Sequence, residues 1–451
     1  MMTLPPRIAA SASVAPRRRL GVWHAVSVCV GMVVGAGIFK SAPLAAGSIP
    51  SDFALLAAWA FGGAMSLAGA LCFAELAGAF PDPGGDYFFL RKAYGDGVGF
   101  LFAWSRFAVI HTGSMAMLAF SFGDYLAEIV DLGANGSALI GAATIVSLAG
   151  LNLAGLRFGI GIQALLVVGV IAGLLLVGAA GALHAHMPTA TATAAHGPLA
   201  IGAGLVYVFL AYGGWSDTAT LSAEMRDGDH GIKRALVIGM SLVTALYLLA
   251  NWAYVRGLSL DGLAASNAPA ADLALLAFGK PGQLAIVAVV AVTSITSMNA
   301  ILIAGARTTY AAARDTASLD ALRRWHLDRG TPSRAIVAIT LVSLGLVAFG
   351  ALTRGGFATM VDYLSPVYWL FLTLSGAALM VLRRREPGAR RPFRVPGYPV
   401  VPLAFIASSV YVFWSSIAYV RVGAVVGVAV LAVGALLLAA LRWSAARRPR
   451  G

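Results

Sequence analysis

Residues 31–40 read GMVVGAGIFK. Gly35-Ala36-Gly37 interrupts an apolar run, and Lys40 ends it. A Gly-x-Gly after hydrophobic residues admits two readings. One is a dinucleotide-binding loop, which needs Gly-x-Gly-x-x-Gly at the end of a short strand and an acid about 20 residues later. The other is a break in a membrane helix. Here Lys40 stands where the third glycine belongs, and the run before it is long and follows a basic cluster. The loop reading fails, and the helix break remains.

Composition points the same way. Of 451 residues, 59% are hydrophobic and 11% are charged, against about 25% charged in soluble proteins. The mean hydropathy is +0.83. So apolar a chain cannot cover a globule with polar surface, so its solvent is lipid. A spanning helix needs roughly 20 apolar residues, which leaves little chain for soluble domains. Apolar runs fall at 21–47, 53–79, 98–130, 137–155, 159–183, 200–224, 235–256, 282–313, 334–352, 357–382, 400–420 and 423–441. The pattern predicts an all-α polytopic membrane protein with 12 transmembrane helices.

The net charge is +13, and its placement explains it. With the N-terminus in the cytoplasm and sides alternating, 25 of the 32 Lys and Arg fall in cytoplasmic segments and four outside. Lys40, Arg106 and Arg307 lie within spans. That bias is the positive-inside signal, and it puts both termini in the cytoplasm. The polar first 20 residues have no short apolar core or cleavage site, so the first apolar segment is expected to be a retained span. No basic soluble domain exists to hold nucleic acid. Cys29 and Cys72 both lie in apolar runs and read as core hydrophobes, with no disulfide framework and no metal spacing. No Gly-x4-Gly-Lys-Ser/Thr loop occurs, so ATP does not drive a process within this chain. The seven histidines are scattered, and His184 and His186 lack further ligands. Neither a catalytic constellation, a metal site nor a cofactor site is expected.

The break has a counterpart. The sixth run contains VYVFLAYGGWSDTATLSAEM, residues 206–225, with Gly213-Gly214 in its middle. Five spans separate the two breaks, so the second copy enters from the opposite side. Paired Gly-broken helices in corresponding halves point to a transporter's binding site. Unwinding a helix in lipid strands backbone groups at several kcal/mol each, unless something satisfies them. Free N–H groups near Ala36 to Phe39 suit a carboxylate. Free carbonyls near Val33 to Gly35 and Phe209 to Ala211 suit an ammonium group. The glycines of GGAMSLAGALCFAELAG, residues 62–78, read instead as close helix packing.

The motifs VGMVVGAGIFKSAP, LCFAELAGAFPDPGGDYFFLRKAYG and LAYGGWSDTATLSAEM, with GARTTYAAARD at 305–315, resemble amino acid permeases of the amino acid–polyamine–organocation superfamily. They are most similar to the L-type branch and its bacterial relatives. The resemblance covers residues 20–440. It implies a five-plus-five inverted-repeat (LeuT-like) core with broken helices 1 and 6, alternating access, and transport of amino acids, with polyamines or other organic amines as an alternative cargo. It implies a substrate site built from Val33, Val34, Gly35, Ala36, Gly37 and Ile38 of span one, and from Phe209, Leu210, Ala211, Tyr212 and Gly213 of span six. Its domain plan is a cytoplasmic tail 1–19, a first repeat 20–183, an extracellular loop 184–199, a second repeat 200–384, a cytoplasmic loop 385–399, spans 11 and 12 at 400–441, and a cytoplasmic tail 442–451. Three positions depart from the family pattern. Ala36 replaces a hydroxyl residue, so the carboxylate would rest on backbone N–H groups alone. Leu210 stands where a gate aromatic is usual, with Phe209 about 100° away around the helix. Val170 occupies the position of a span-five lysine tied to ion dependence, which leaves coupling open.

Charges within a membrane each need a reason. The coupling or gating candidates are Lys40, Glu75, Arg106, His111, Asp217 and Arg307. Glu75, Glu224 and Arg307 lie near cytoplasmic span ends, where a structural ion pair or gate contact is expected. Lys40 either snorkels outward or lines the external vestibule. Arg106 and Asp217 fall in the inner half, where they pair or Asp217 titrates during transport. His111 is either a packed core residue or a substrate contact. With no acid or arginine beside either break, neutral or broad amino acids are the expected substrates. A membrane-embedded enzyme is the distant alternative. Lipid is the evident partner, and protons are a candidate co-substrate.

Overall fold

A computed structural model describes residues 21–35, 37–82, 84–130, 133–155, 160–185, 198–225, 231–315, 332–418 and 422–447. The N-terminal tail, most of the 184–199 loop, residue Ala36, Arg157 and the centre of the 314–334 connection lie outside these residues. Among the described residues the fold is helical throughout.

The first apolar run forms α1 (Val22–Val33) and α2 (Gly37–Ala46), whose axes differ by 45°. α3 (Asp52–Ala79) starts on Ser51, whose side chain accepts from the Ala54 N–H at 3.2 Å, a stabilising N-cap. It stops at Phe80, just before Pro81. A Gly84-Gly85 turn, held by Asp82 Oδ1 accepting from the Gly84 N–H at 2.6 Å, leads into the short α4 (Asp86–Tyr94). The third run is α5 (Asp96–Ser105), a π-helical segment over Arg106–His111, and α6 (Thr112–Ala127). α7 (Gly136–Leu153) and α8 (Ile160–Leu183) follow. The sixth run is α9 (Pro198–Ala211), then a 3-10 segment over Trp215–Glu224.

α10 (Gly231–Ala265) and α11 (Pro269–Asp315) are interrupted at Ser259 and Gly279, both at positive φ. Between these points the chain is helical except at residues 266–268. The chain ends with α12 (Ser333–Leu352), α13 (Gly356–Arg385), α14 (Val400–Ala418) and α15 (Val422–Arg447). Each of the twelve apolar runs contains helix. Among the described residues eight helices are long and apolar enough to cross a membrane, nine if the bent pair α1 and α2 is one span. α8 has a shorter apolar part, Val167–Leu183.

Large apolar side chains point outward, among them Phe53, Leu352 and Leu436, at 82%, 84% and 70% exposure. In water such a surface would aggregate, whereas in lipid it is solvated. The chain is therefore an integral, multi-pass membrane protein. Inside, α10 packs on α3, α8 and α1, while α11 packs on α8 and α6. α13 packs on α6, α14 and α15, and α2 packs on α9. The α3 glycines permit close contact: a Cβ on Gly62 would lie 2.8 Å from Val208 Cγ1, and one on Gly69 2.6 Å from the Trp215 ring.

Candidate functional site

The two breaks face each other. α1 ends at Val33, and the Gly35 N–H donates to the Val33 carbonyl at 2.8 Å. α9 ends at Ala211, and the Gly213 N–H donates to the Leu210 carbonyl at 2.9 Å. Gly214 then takes φ +103, a conformation open to glycine and costly to other residues. A Cβ there would also lie 2.5 Å from the Met32 carbonyl oxygen of α1. At the first turn of α2, Gly37 lies against Ala211, with a built Cβ 3.4 Å from its Cα. Glycine is required at Gly214, where backbone meets backbone, while at Gly37 a methyl group would stand in van der Waals contact with Ala211.

One side chain ties the breaks together. The Tyr247 hydroxyl, on α10, donates to the Val33 carbonyl at 2.9 Å and to the Ala211 carbonyl at 3.0 Å. The ring is fully buried and is held by Trp59 and Tyr212, with centroids 5.6 and 4.9 Å away. Tyr212 in turn donates to the Trp59 carbonyl at 2.9 Å. Two of the carbonyls expected to await an ammonium group thus already share a tyrosine proton. The Val33 carbonyl, which also accepts from the Gly35 N–H, is then filled, while the Ala211 carbonyl keeps a lone pair for a further donor.

A cavity of about 510 Å³ adjoins the breaks. Of the expected binding residues, Val33, Val34, Gly35, Gly37, Leu210, Ala211 and Gly213 line it. Ile38, Phe209 and Tyr212 are buried elsewhere. Phe209 turns to Phe61 and Trp369, with centroids 5.7 and 5.8 Å away, in line with the rotation expected from its register. Ala36 lies outside the described residues. Val170 lines the wall, so the fifth run presents an apolar side chain to the cavity there. Polar groups enter from α6 and α11 through Ser114, Thr293, Ser297 and Asn299. Asn299 Oδ1 accepts from Asn152 Nδ2 at 2.7 Å.

The cavity is one-sided. It is lined by α1 from Val28 on but by no residue of α2 beyond Gly37. On the sixth run it is lined from Leu210 onward. It therefore extends from the breaks toward the end of the molecule that carries α4. Beyond Gly37 the other end is packed shut. Lys40 Nζ lies 2.6 Å from Asp124 Oδ2 of α6 and donates to the Asn267 carbonyl at 2.8 Å. The Tyr125 hydroxyl donates to the Phe39 carbonyl at 3.1 Å. Lys40 is 7% exposed, so it neither snorkels nor lines a vestibule. Instead it locks three elements together.

The π-helical segment shapes the cavity floor. A π turn leaves a carbonyl without its usual partner and is frequent at functional sites. Here the Ala108 carbonyl accepts from the Tyr363 hydroxyl at 2.7 Å and from Thr112 Oγ1 at 2.9 Å. The segment brings Arg106, Ile110 and His111 to the cavity. Arg106 Nη1 pairs with Asp217 Oδ1 at 2.8 Å, the pairing expected from their depth. Arg106 Nη2 meets His111 Nε2 at 3.0 Å. Arginine can only donate, so Nε2 accepts and the imidazole proton is on Nδ1.

Glu75 is elsewhere, in a structural ion pair. It accepts from Arg383 Nε at 2.7 Å and from the Val395 N–H at 2.7 Å, with Arg391 Nε at 3.5 Å. The side chains of Arg307 and Glu224 lie outside the described residues.

Sequence reasoning missed Tyr247, Asp124 and Asp86. Asp124 carried a signal, being an acid inside an apolar run. So did Asp86, directly after a Gly-Gly turn. Tyr247 carried none, being one aromatic among many in a hydrophobic span. Among the described residues no group of His, Cys, Asp and Glu is arranged to hold a metal ion.

The model of the family described as amino acid permease matches residues 20–440. The chain belongs to the amino acid permease family. The permease is 27% identical over 413 residues to the serine/threonine exchanger SteT of Bacillus subtilis (strain 168), covering 89% of this chain and 91% of that protein. It is 28% identical over 411 residues to the human b(0,+)-type amino acid transporter 1, covering 88% and 82%. It is 28% identical over 422 residues to the human large neutral amino acids transporter small subunit 2, covering 89% and 77%. As a member of a family of permeases, the chain is a transporter rather than an enzyme, and its substrate is a small molecule of the amino acid class.

Proposed function

We propose that the permease is a secondary transporter that carries neutral amino acids across the cytoplasmic membrane by alternating access. The observation that carries this reading is the meeting of two helix breaks at a cavity, with Gly37 against Ala211 and Gly214 against Met32. The volume of about 510 Å³ falls in the range of small-molecule sites. In this reading the substrate carboxylate sits over the N–H groups at the start of α2, which a helix's first turn leaves without internal partners. The ammonium group sits by the second lone pair of the Ala211 carbonyl, with Val34, Gly35, Leu210 and Gly213 around it. The side chain extends toward Ser114, Ser297 and Asn299. Because Arg106 is already paired with Asp217, the described residues of the wall offer no uncompensated cation to a carboxylate side chain, which favours neutral substrates.

The topology of the proposal is twelve spans, a five-plus-five inverted repeat over 20–183 and 200–384, and both termini in the cytoplasm. The basic connections, α4 included, then face inward. The cavity opens to the cytoplasm, and the Lys40–Asp124 pair closes the outer path.

The test is a thermal-shift screen of the purified permease against the common amino acids and polyamines, followed by uptake into proteoliposomes with and without internal amino acid and a pH gradient. Serine, threonine or larger neutral amino acids are expected to stabilise the protein and to be taken up. A protein that no amino acid stabilises and that moves none would overturn the reading. Stabilisation by polyamines alone would replace it.

A further inference from the structure

Among the described residues the cavity floor holds two carboxylates and one cation. Asp86 is the first residue of α4, on a short connection outside the spans. Its side chain reaches the cavity and is 8% exposed. Its Oδ1 has no hydrogen-bond partner among the described residues. The 3-10 segment brings Asp217 and Ser216 toward it, the π-helical segment brings Arg106, and α13 brings Tyr368. His111 stands behind Arg106, bound to its Nη2. The other described charges near α4 are committed elsewhere. Arg91 pairs with Asp96 and Lys92 with Glu386. Arg385 donates to the Ala93 carbonyl, and Arg383 holds Glu75.

Arg106 is already engaged with Asp217 through Nη1. With Asp217 ionised, one guanidinium balances one carboxylate. A second ionised carboxylate would be a net buried charge, which is costly without its own partner. The cluster is neutral only when Asp86 carries a proton.

We propose that Asp86 is a proton-binding site of this permease, and that its protonation is coupled to the packing of α4 against the 3-10 segment that carries Asp217. Burial and the Asp217 charge push the Asp86 carboxyl up to about 7, while Arg106 and Ser216 act in the opposite direction. The group therefore exchanges its proton near neutral pH. The proton leaves as H⁺ from the carboxyl to the cavity solvent, and no other bond changes. Once ionised, Asp86 competes with Asp217 for Arg106, and the floor at Gly214 to Asp217 loses its neutral packing. Coupling is reciprocal, so a conformation that repacks this floor changes the proton affinity. This assigns to the α4 connection a role that the Val170 wall lacks. The proposal deepens the transport reading, but its first test needs no substrate.

The test compares wild type, Asp86→Asn and Asp217→Asn as purified full chains. The unfolding midpoint is followed from pH 5 to 8.5. An acid whose folded pKa is raised gives stability that is complete below the unfolded pKa, roughly 4, and is lost as pH rises through the folded value. The stability of wild type relative to Asp86→Asn should therefore fall with rising pH, by about tenfold in the folding constant per unit, and level off above about pH 7. Asp217→Asn frees Arg106 for Asp86 and removes a like charge, so its levelling point should move to lower pH. In proteoliposomes with equal pH on both sides, the wild-type uptake profile should bend near neutrality and that of Asp86→Asn should be flat. Equal slopes in wild type and Asp86→Asn overturn the proposal. If Asp86→Asn does not fold, an unmoved levelling point in Asp217→Asn overturns it. Absence of amino acid uptake by wild type removes the transport reading and leaves the stability test standing.

Discussion

Tyr247 is the sharpest point at which to disturb this site, because one hydroxyl group joins two broken helices. Tyr247→Phe removes one oxygen and keeps the ring against Trp59 and Tyr212. The hydroxyl proton is shared between acceptors at 2.9 and 3.0 Å, in a fully buried setting. A net neutral hydrogen bond contributes about 1 kcal/mol, and a buried group left unsatisfied costs more. Two acceptors losing one donor make the loss about 2 kcal/mol, or roughly 30-fold in the equilibrium that holds the breaks together. The variant should unfold at a lower temperature. A substrate would then have to order the breaks itself, so its apparent affinity should weaken by roughly tenfold. The assays are thermal unfolding of the purified variant, with and without a stabilising amino acid, and initial uptake rates across substrate concentration. Tyr247→Leu, which also removes the ring contacts, should be worse by the roughly 3 to 5 kcal/mol typical of deleting a core aromatic. A Tyr247→Phe protein that melts and binds like wild type would refute the idea that this hydroxyl organises the site.

Two further outcomes follow from the same geometry. Gly214→Ala combines a left-handed backbone cost of roughly 1 to 2 kcal/mol with a methyl group 2.5 Å from the Met32 carbonyl. It should abolish uptake or prevent folding, whereas Gly388→Ala, where a Cβ meets nothing within 4 Å, should be silent in both assays. Lys40→Met strands Asp124 near a buried end of the molecule and should lower stability by about 3 to 5 kcal/mol. Lys40→Met with Asp124→Leu should recover much of that loss in thermal unfolding, and a double variant no better than Lys40→Met alone would argue against a direct pair.

Much of this protein was legible in its sequence, for a simple reason. In lipid every backbone polar group must find a partner within its own helix, so long apolar runs become helices wherever they occur. Each of the twelve runs contains helix on those grounds. The breaks were legible too, because Gly35 and Gly37 and the pair Gly213 and Gly214 interrupt runs that have no other reason to contain them. Depth in the membrane put Arg106 and Asp217 on one level, where they pair or Asp217 titrates, and the structure shows the contact. The register of Phe209 followed from helical rotation.

What needed the tertiary structure was which distant groups meet. Lys40 reaches Asp124 across 84 positions of sequence, and no local pattern distinguishes that lock from snorkelling. Tyr247 acts through a hydroxyl aimed at carbonyls on two other helices, so its role exists only once three elements pack. The π turn at Arg106–His111 gives its Ala108 carbonyl to the Tyr363 hydroxyl across 255 positions of sequence. Asp86 shows the division most clearly. Its Gly-Gly turn is visible in the sequence, yet its burial beside Asp217 and Arg106 depends on how α4, the 3-10 segment and the π turn converge. Sequence determined the apolar helices and their glycine breaks, because solvation by lipid acts on each helix separately. Only the tertiary structure decided which charges and hydroxyl groups share a site, because electrostatics and hydrogen bonding act over a few ångströms of space and take no account of distance along the chain.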